Sequence, residues 1–200
     1  MASYRKMNYL RGLVLCHGKS EVHIVRYIST NLHLSIRCYA KDGGAHSIQI
    51  TSLMALLKTK PFDSMSSFTK EYDVEIEGKG ATRKLKNFAL FSIMDTDDCT
   101  PQQKQNYISK EMFRGHWLYD YIVPIYNTEN LEDVMVQSGI MPRRVKKGEK
   151  GTSYKDYFPV NDKPLSHDTL LDVQTFRNKI EKNRNSNLVV YVDYCLSLLE

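Results

Sequence analysis

The chain has 200 residues, 42% of them hydrophobic and 26% charged, with a formal net charge of +5. That length suits one domain with a real core, and that composition excludes a disordered or fibrous chain. No apolar run approaches the roughly 18 residues of a membrane span, and the four cysteines include no CxxC pair, which argues against a zinc ribbon.

Gly12 to Cys16 is a short continuous apolar run that stops at His17-Gly18, the pattern of a strand buried on both faces. From Ser20 onward Val22, Ile24, Val25 and Ile28 recur at helical spacing. A second strand is expected at residues 34–39, followed by a Lys41-Asp42-Gly43-Gly44 turn and a helix over 48–57. Residues 62–72 fit a short helix, and Val74-Glu75-Ile76 a short edge strand. Phe88 to Met94 is the clearest buried strand, and it runs into Asp95-Thr96-Asp97-Asp98. Thr100-Pro101 starts the next helix with a cap and a first-turn proline, and that helix reaches about Phe113. A fourth strand covers residues 121–126, with Pro124 an awkward member. A loop and helix occupy 127–137, residues 141–163 interrupt regular structure, and two helices near 168–183 and 187–199 close the chain.

This alternation predicts the α/β class: a parallel sheet of about four strands with helices on both faces. Residues 1–140 form that domain, and residues 141–200 supply a basic loop and a C-terminal helical extension packed on it. The N-terminus shows no secretory signal, and Cys16 and Cys38 sit in apolar runs as thiols of a reducing compartment, so a cytoplasmic protein is expected.

Charge is unevenly spread. Residues 1–40 carry six Lys/Arg against one acid, and residues 137–163 seven against three. Such clusters fit a polyanionic partner such as nucleic acid, or a solvated basic loop. Arg143, Arg144, Lys146 and Lys147 are the candidate nucleic-acid contacts. Tyr154, Tyr157 and Phe158 lie in the same segment, where they could stack on bases or simply pack.

In an open parallel sheet, ligands bind outside the carboxyl ends of the strands. His17, Gly18, Lys19 and Glu21 follow the first strand, and Asp95, Asp97 and Asp98 follow the third. An Asp-x-Asp where a strand becomes a turn can offer two oxygens to one hard cation such as magnesium. The same acids also suit a turn and a helix cap. Gly18-Lys19-Ser20 is not a P-loop, because Leu13 stands where the leading glycine must be. A receiver-type signalling pocket would want a lysine facing Asp95, and no clear candidate exists.

The run Leu13-Val14-Leu15-Cys16-His17-Gly18-Lys19-Ser20-Glu21 resembles the first motif of the Toprim domain, especially its OLD-type and RloB-like nuclease branch. That motif is an apolar strand followed by Glu-Gly-x-[Ser/Thr]-Glu opening a helix. Phe91 to Asp97 resembles the second motif, an apolar strand ending in Asp-x-Asp. Pro124 to Asp133 is similar, after a one-residue adjustment, to the Asn-Pro-x-Phe-Glu segment of RloB-like proteins. The resemblance spans roughly residues 10–135. It implies a Rossmann-like sheet, one or two divalent cations (Mg²⁺ or Mn²⁺), and phosphodiester cleavage or transfer, often in antiviral defence. It makes Glu21, Asp95 and Asp97 the expected metal ligands, and His17 and Glu21 the expected catalytic residues. Lys19 is a further catalytic candidate as a phosphate contact, or a solvated lysine, and Glu132 either completes the metal site or pairs with Lys/Arg on a helix surface.

His17 departs from the family pattern, which has glutamate there. Histidine accepts a proton near neutral pH but suits softer ions than magnesium. Two readings follow: a metal-dependent nuclease, or a degenerate module that binds nucleic acid or a partner protein without cutting. OLD-type relatives carry an ATPase domain in the same chain; this chain has no room for one, and a separate ATPase partner could supply it.

Overall fold

The computed structural model describes residues 8–145, 150–160 and 165–199. The first strand, β1 (Gly12–Cys16), is buried at all five positions. His17-Gly18 turns the chain into α1 (Lys19–Asn31), whose Ile24, Val25 and Ile28 enter the core as their spacing predicts. β2 (Ile36–Tyr39) lies parallel to β1, with Val14 opposite Cys38. A 3₁₀ turn at Lys41–Gly44 leads to α2 (Ile50–Leu57) and α3 (Met65–Glu71), the latter started by Ser64, whose hydroxyl accepts the Ser67 N–H.

β3 (Ile76–Glu77) and β4 (Lys84–Leu85) form a separate antiparallel ribbon. The edge strand expected at residues 74–76 therefore does not extend the main sheet. Glu75 instead pairs with Arg11 at 3.1 Å and Lys86 at 3.0 Å, tying the ribbon to the start of β1. β5 (Ala89–Asp95) is buried at all seven positions. α4 (Pro101–Ile108) opens with a reciprocal capping box between Thr100 and Gln103. It ends short of the expected Phe113, because Lys110 adopts a left-handed backbone (φ +66°) and only a 3₁₀ turn covers Glu111–Phe113.

β6 (Ile122–Asn127) is followed by α5 (Leu131–Gln137), α6 (Lys150–Tyr157), α7 (His167–Ile180) and α8 (Val189–Ser197). The helix α6 occupies part of the segment expected to lack regular structure. Its Tyr154 is buried in the same core layer as α1 and stacks on His23 of that helix, with ring centroids 5.6 Å apart. Packing against α1 thus supplies what a polar sequence with little periodicity does not.

The main sheet has the order β2-β1-β5-β6, all parallel. Pro124 is tolerated because β6 is an edge strand. Asn187 covers that edge: its side chain donates to the Pro124 carbonyl (3.0 Å) and accepts from the Tyr126 N–H (2.7 Å). One core layer unites α1, α5 and the C-terminal helices with one face of the sheet, through Val14, Phe91, Ile125, Phe176 and Tyr191. The other layer holds α2, α3 and α4 against Leu13, Leu15, Leu90 and Met94. No helix among the described residues is long and apolar enough to cross a membrane.

Candidate functional site

The chain leaves β1 through α1 toward β2 on one side, and leaves β5 through α4 toward β6 on the other. The two crossover helices lie on opposite faces of the sheet. Between the adjacent β1 and β5 the strand order reverses, and such a switch point opens a crevice at the strands' carboxyl ends. Glu21 and Asp95 flank it, one in the first turn of α1 and one at the last position of β5.

Asp95 is only 9% exposed and Glu21 2%. Asp95 Oδ1 accepts two hydrogen bonds, from Asn127 Nδ2 at 2.9 Å and from the Leu131 N–H at 3.0 Å. Oδ2 accepts none among the described residues. Burial, first, and then the carboxylate of Glu21 push the Asp95 pKa up to about 8. The Asn127 hydrogen bond opposes this, Asp97 adds to it, and the Leu131 N–H opposes it again. Two buried acids facing one another favour either a shared proton or a cation.

Glu21 also has a structural task. Its Oε2 accepts the Gly18 N–H at 2.7 Å, the backward arm of a capping box that starts α1. One of its oxygens is therefore engaged in holding the turn after β1.

Asn127 was not among the residues singled out from the sequence. It is fully buried, donates to Asp95, and accepts from Ser186 Oγ at 2.9 Å. Thr96 pins the same corner, with its hydroxyl donating toward the carbonyls of Asn127 (3.0 Å) and Thr128 (2.7 Å). Tyr154, read from the sequence as a residue that could stack on bases or pack, is fully buried and packs beside the crevice. Its hydroxyl is buried against Ser20 and has no well-formed hydrogen bond among the described residues. Burial, chiefly, pushes its pKa up; Ser20 counters that, and Glu132, Glu21 and Asp95 add to it. Tyr154 is thus a neutral phenol beside the acidic crevice.

The other expected site residues are more dispersed. His17 follows β1 directly, its backbone held by the Ile93 carbonyl (3.0 Å) and the Ile48 N–H (2.8 Å). Its ring Nδ1 is buried and has no hydrogen-bond partner among the described residues. Lys19 is exposed at the first position of α1. Asp97 is exposed on the turn after β5, and Glu132 stands half-buried in the first turn of α5. Among the described residues, no three His, Cys, Asp or Glu side chains converge as a ready cation cage. What the fold brings together is the Glu21–Asp95 pair, with Asp97 near Asp95 and Glu132 near Tyr154.

Of the basic cluster, Arg143 is exposed, whereas Arg144 makes a two-pronged ion pair with Asp133 of α5. Lys146 and Lys147 lie outside the described residues.

Gly44 closes the loop beside this crevice. It has φ +92°, and a Cβ there would come within 2.9 Å of the Lys19 Cα and 3.2 Å of the Gly18 carbonyl carbon. Both backbone strain and a backbone clash oppose any side chain. Gly44→Ala should therefore cost about 1–3 kcal/mol in thermal or urea denaturation. Gly43→Ala is the control: φ is +65° there too, but nothing lies within 4 Å of its Cβ position, so only the conformational cost applies. Equal losses in both variants would show that the loop does not rest on the start of α1.

No protein-family model matches the chain, and no curated protein or solved structure shows significant similarity to it.

Proposed function

We propose that this protein is a Toprim-like, divalent-cation-dependent nuclease acting on a phosphodiester of DNA or RNA. The observation that carries the reading is the buried Glu21–Asp95 pair at the switch point of the sheet, where Asp95 resists ionisation chiefly by burial and by its neighbour's charge. A hard divalent cation (Mg²⁺ or Mn²⁺) satisfies both oxygen-rich groups at once. Asp95 would hold it through Oδ2, with Glu21 and Asp97 beside it and Glu132 at the margin. Held there, a divalent cation would supply charge neutralisation for the phosphodiester as water attacks phosphorus and the alkoxide leaves. His17, at the end of β1, would take the proton of the attacking water. Lys19 and the start of α1 attract the phosphate. The Tyr154 phenol, protonated throughout the working range, can only donate when it meets an anion.

A second reading, a module that binds nucleic acid or a partner without cutting, is favoured by the engagement of Glu21 with Gly18 and by histidine at position 17. One assay separates the two. Plasmid DNA and structured RNA are incubated with the protein in Mg²⁺, Mn²⁺ or EDTA. The nuclease reading expects cleavage in the divalent ions only, reduced on the order of 100-fold or more by Asp95→Asn. It also expects His17→Glu to raise magnesium-supported cleavage and His17→Ala to lower it. Native protein that is inert while His17→Glu cuts would establish the degenerate module. If all three forms are inert with every substrate and metal, alone and with an added ATPase partner, the nuclease reading is wrong.

A further inference from the structure

A depression of about 400 Å³ opens where the end of α7 meets the end of α5. Lys179, Lys182, Asn183 and Arg184 line it from the α7 side, and Gln137 and Ser138 from α5. Among the described residues, no acid belongs to this lining. Glu181, next to Lys182 in the chain, is paired with Arg177 at 2.6 Å. An adjoining depression, which shares Gln137, holds Glu129 and also Asp133, whose charge Arg144 neutralises. Among the described residues, no acid pairs with Lys179, Lys182 or Arg184.

The polar groups of the wall are left as donors. Asn183 Oδ1 accepts the Asn185 N–H at 2.9 Å, so its Nδ2 donates to the Val134 carbonyl (3.3 Å) and to Ser138 Oγ (3.1 Å). Gln137 Oε1 accepts from Asn185 Nδ2 at 2.9 Å. With those oxygens accepting inside the protein, the Ser138 hydroxyl proton and the Gln137 amino group remain to donate. Lys179 Nζ is steadied by the Gly139 carbonyl at 3.2 Å and keeps further protons for a ligand. Two helix ends meet here, and their carbonyls favour cations on their own account. Each end carries only about half a negative charge, so three full positive charges outweigh both, even with Glu129 counted.

We propose that this depression holds a phosphate group of the nucleic-acid strand that enters the crevice, an inference that rests on the reading above for the strand's presence there. The chain runs directly from one place to the other. The Asn185 carbonyl accepts the Thr128 N–H at 2.7 Å, and Ser186 bridges to Asn127, its hydroxyl donating to Asn127 Oδ1 at 2.9 Å. Asn127 in turn donates to Asp95. Along this path the Arg184 Cα lies within about 18 Å of the Asp95 Cα. A strand that advances about 3.4 Å per nucleotide covers that span in roughly five nucleotides. The helix α5 gives a second measure: about 9 Å of rise separates Gln137 from Leu131, whose N–H is bonded to Asp95. Lys182 and Arg184 grip phosphate oxygens through charge-assisted hydrogen bonds, and Ser138 and Gln137 add neutral donors. Such a contact carries no base preference, so it sets the register of the strand rather than its sequence.

The test uses the full chain in EDTA, so that binding is read without cleavage. Labelled single-stranded DNA and RNA oligonucleotides are titrated by fluorescence anisotropy over a range of salt concentrations. The double variant Lys182→Ala/Arg184→Ala changes two exposed side chains and should fold as the native protein does. It should bind roughly fivefold more weakly at about 0.1 M salt, and its slope of log affinity against log salt should flatten by about 0.7, the share of one phosphate on a single strand. Lys58→Ala/Lys70→Ala removes the same charge from exposed positions on the opposite face and should leave the slope unchanged. Equal effects in the two double variants would overturn the proposal, because net charge alone would then explain them. Thermal stabilisation by inorganic phosphate without oligonucleotide binding would overturn the strand and leave a site for free phosphate. Cleavage by the native protein, with binding and slope unchanged in Lys182→Ala/Arg184→Ala, would remove this site and leave the nuclease reading standing. The predicted binding loss in a protein that never cuts would keep the site and remove the nuclease.

Discussion

Replacing Asp95 with asparagine is expected to make the cation-free protein more stable at pH 8 and to abolish its stabilisation by Mg²⁺ or Mn²⁺. The folded-state pKa of Asp95, about 8, lies above the roughly 3.9 of an unfolded chain. A group raised in this way contributes stability that is complete below the unfolded value and is lost as pH climbs through the folded value. In EDTA the native protein should therefore weaken between about pH 4 and pH 8, by on the order of 2–5 kcal/mol at full extent. Asparagine carries no proton to lose and keeps an oxygen for the Asn127 and Leu131 donors, so the variant's profile over that range should be flat. Divalent cations compete with the proton and should restore the native protein increasingly as pH rises. Urea melts at several pH values, with EDTA or with each cation, measure both effects. Parallel pH profiles in the two proteins, or an equal cation response, would remove the site from Asp95.

Asn127→Ala should be the most damaging single change beside the crevice. The side chain is fully buried and joins Asp95 to Ser186, so its loss leaves one carboxylate short of a donor and one hydroxyl without its acceptor. Stranded buried polar groups and the small cavity together should cost about 2–4 kcal/mol. The Asn127 hydrogen bond also holds the Asp95 pKa down. Without it, Asp95 should keep its proton to higher pH, and the pH at which Mg²⁺ or Mn²⁺ begins to stabilise the protein should rise as well. A stability loss with no movement of that pH would make Asn127 a packing residue only. Asn127→Asp tests the point differently: it adds a carboxylate beside Asp95, so the response to divalent cations should grow even if the cation-free fold weakens.

The parallel sheet was legible because strands buried on both faces need apolar runs, and β1 has one in Gly12–Cys16 and β5 one in Ala89–Met94 broken only by Ser92. The cap at Thr100-Pro101 and the helical spacing of Val22 to Ile28 are equally local, and both survive in the fold. By contrast, β3, β4 and α6 carry little pattern of their own. The ribbon is held by pairing and by the ion pairs of Glu75, and α6 by the burial of Tyr154 and Phe158. The length of α4 turned on a left-handed Lys110, which no periodicity announces.

From the sequence alone came the residue types: acids and a histidine at the ends of two apolar strands. Their arrangement was decided by the tertiary structure. Glu21 and Asp95 are far apart in the chain and become neighbours only because β5 pairs with β1 and α1 and α4 cross on opposite faces. The same pairing divides the work among the acids: Asp95 is buried and resists ionisation, Asp97 is left in solvent, and Glu21 shares its charge with a helix cap. Asn127 and Tyr154 gain their places from strand order and helix packing, which no local pattern announces. Local sequence sets which groups can titrate, donate or bind. Burial and the distance between like charges, which set how tightly a proton or a cation is held, exist only once the chain has folded.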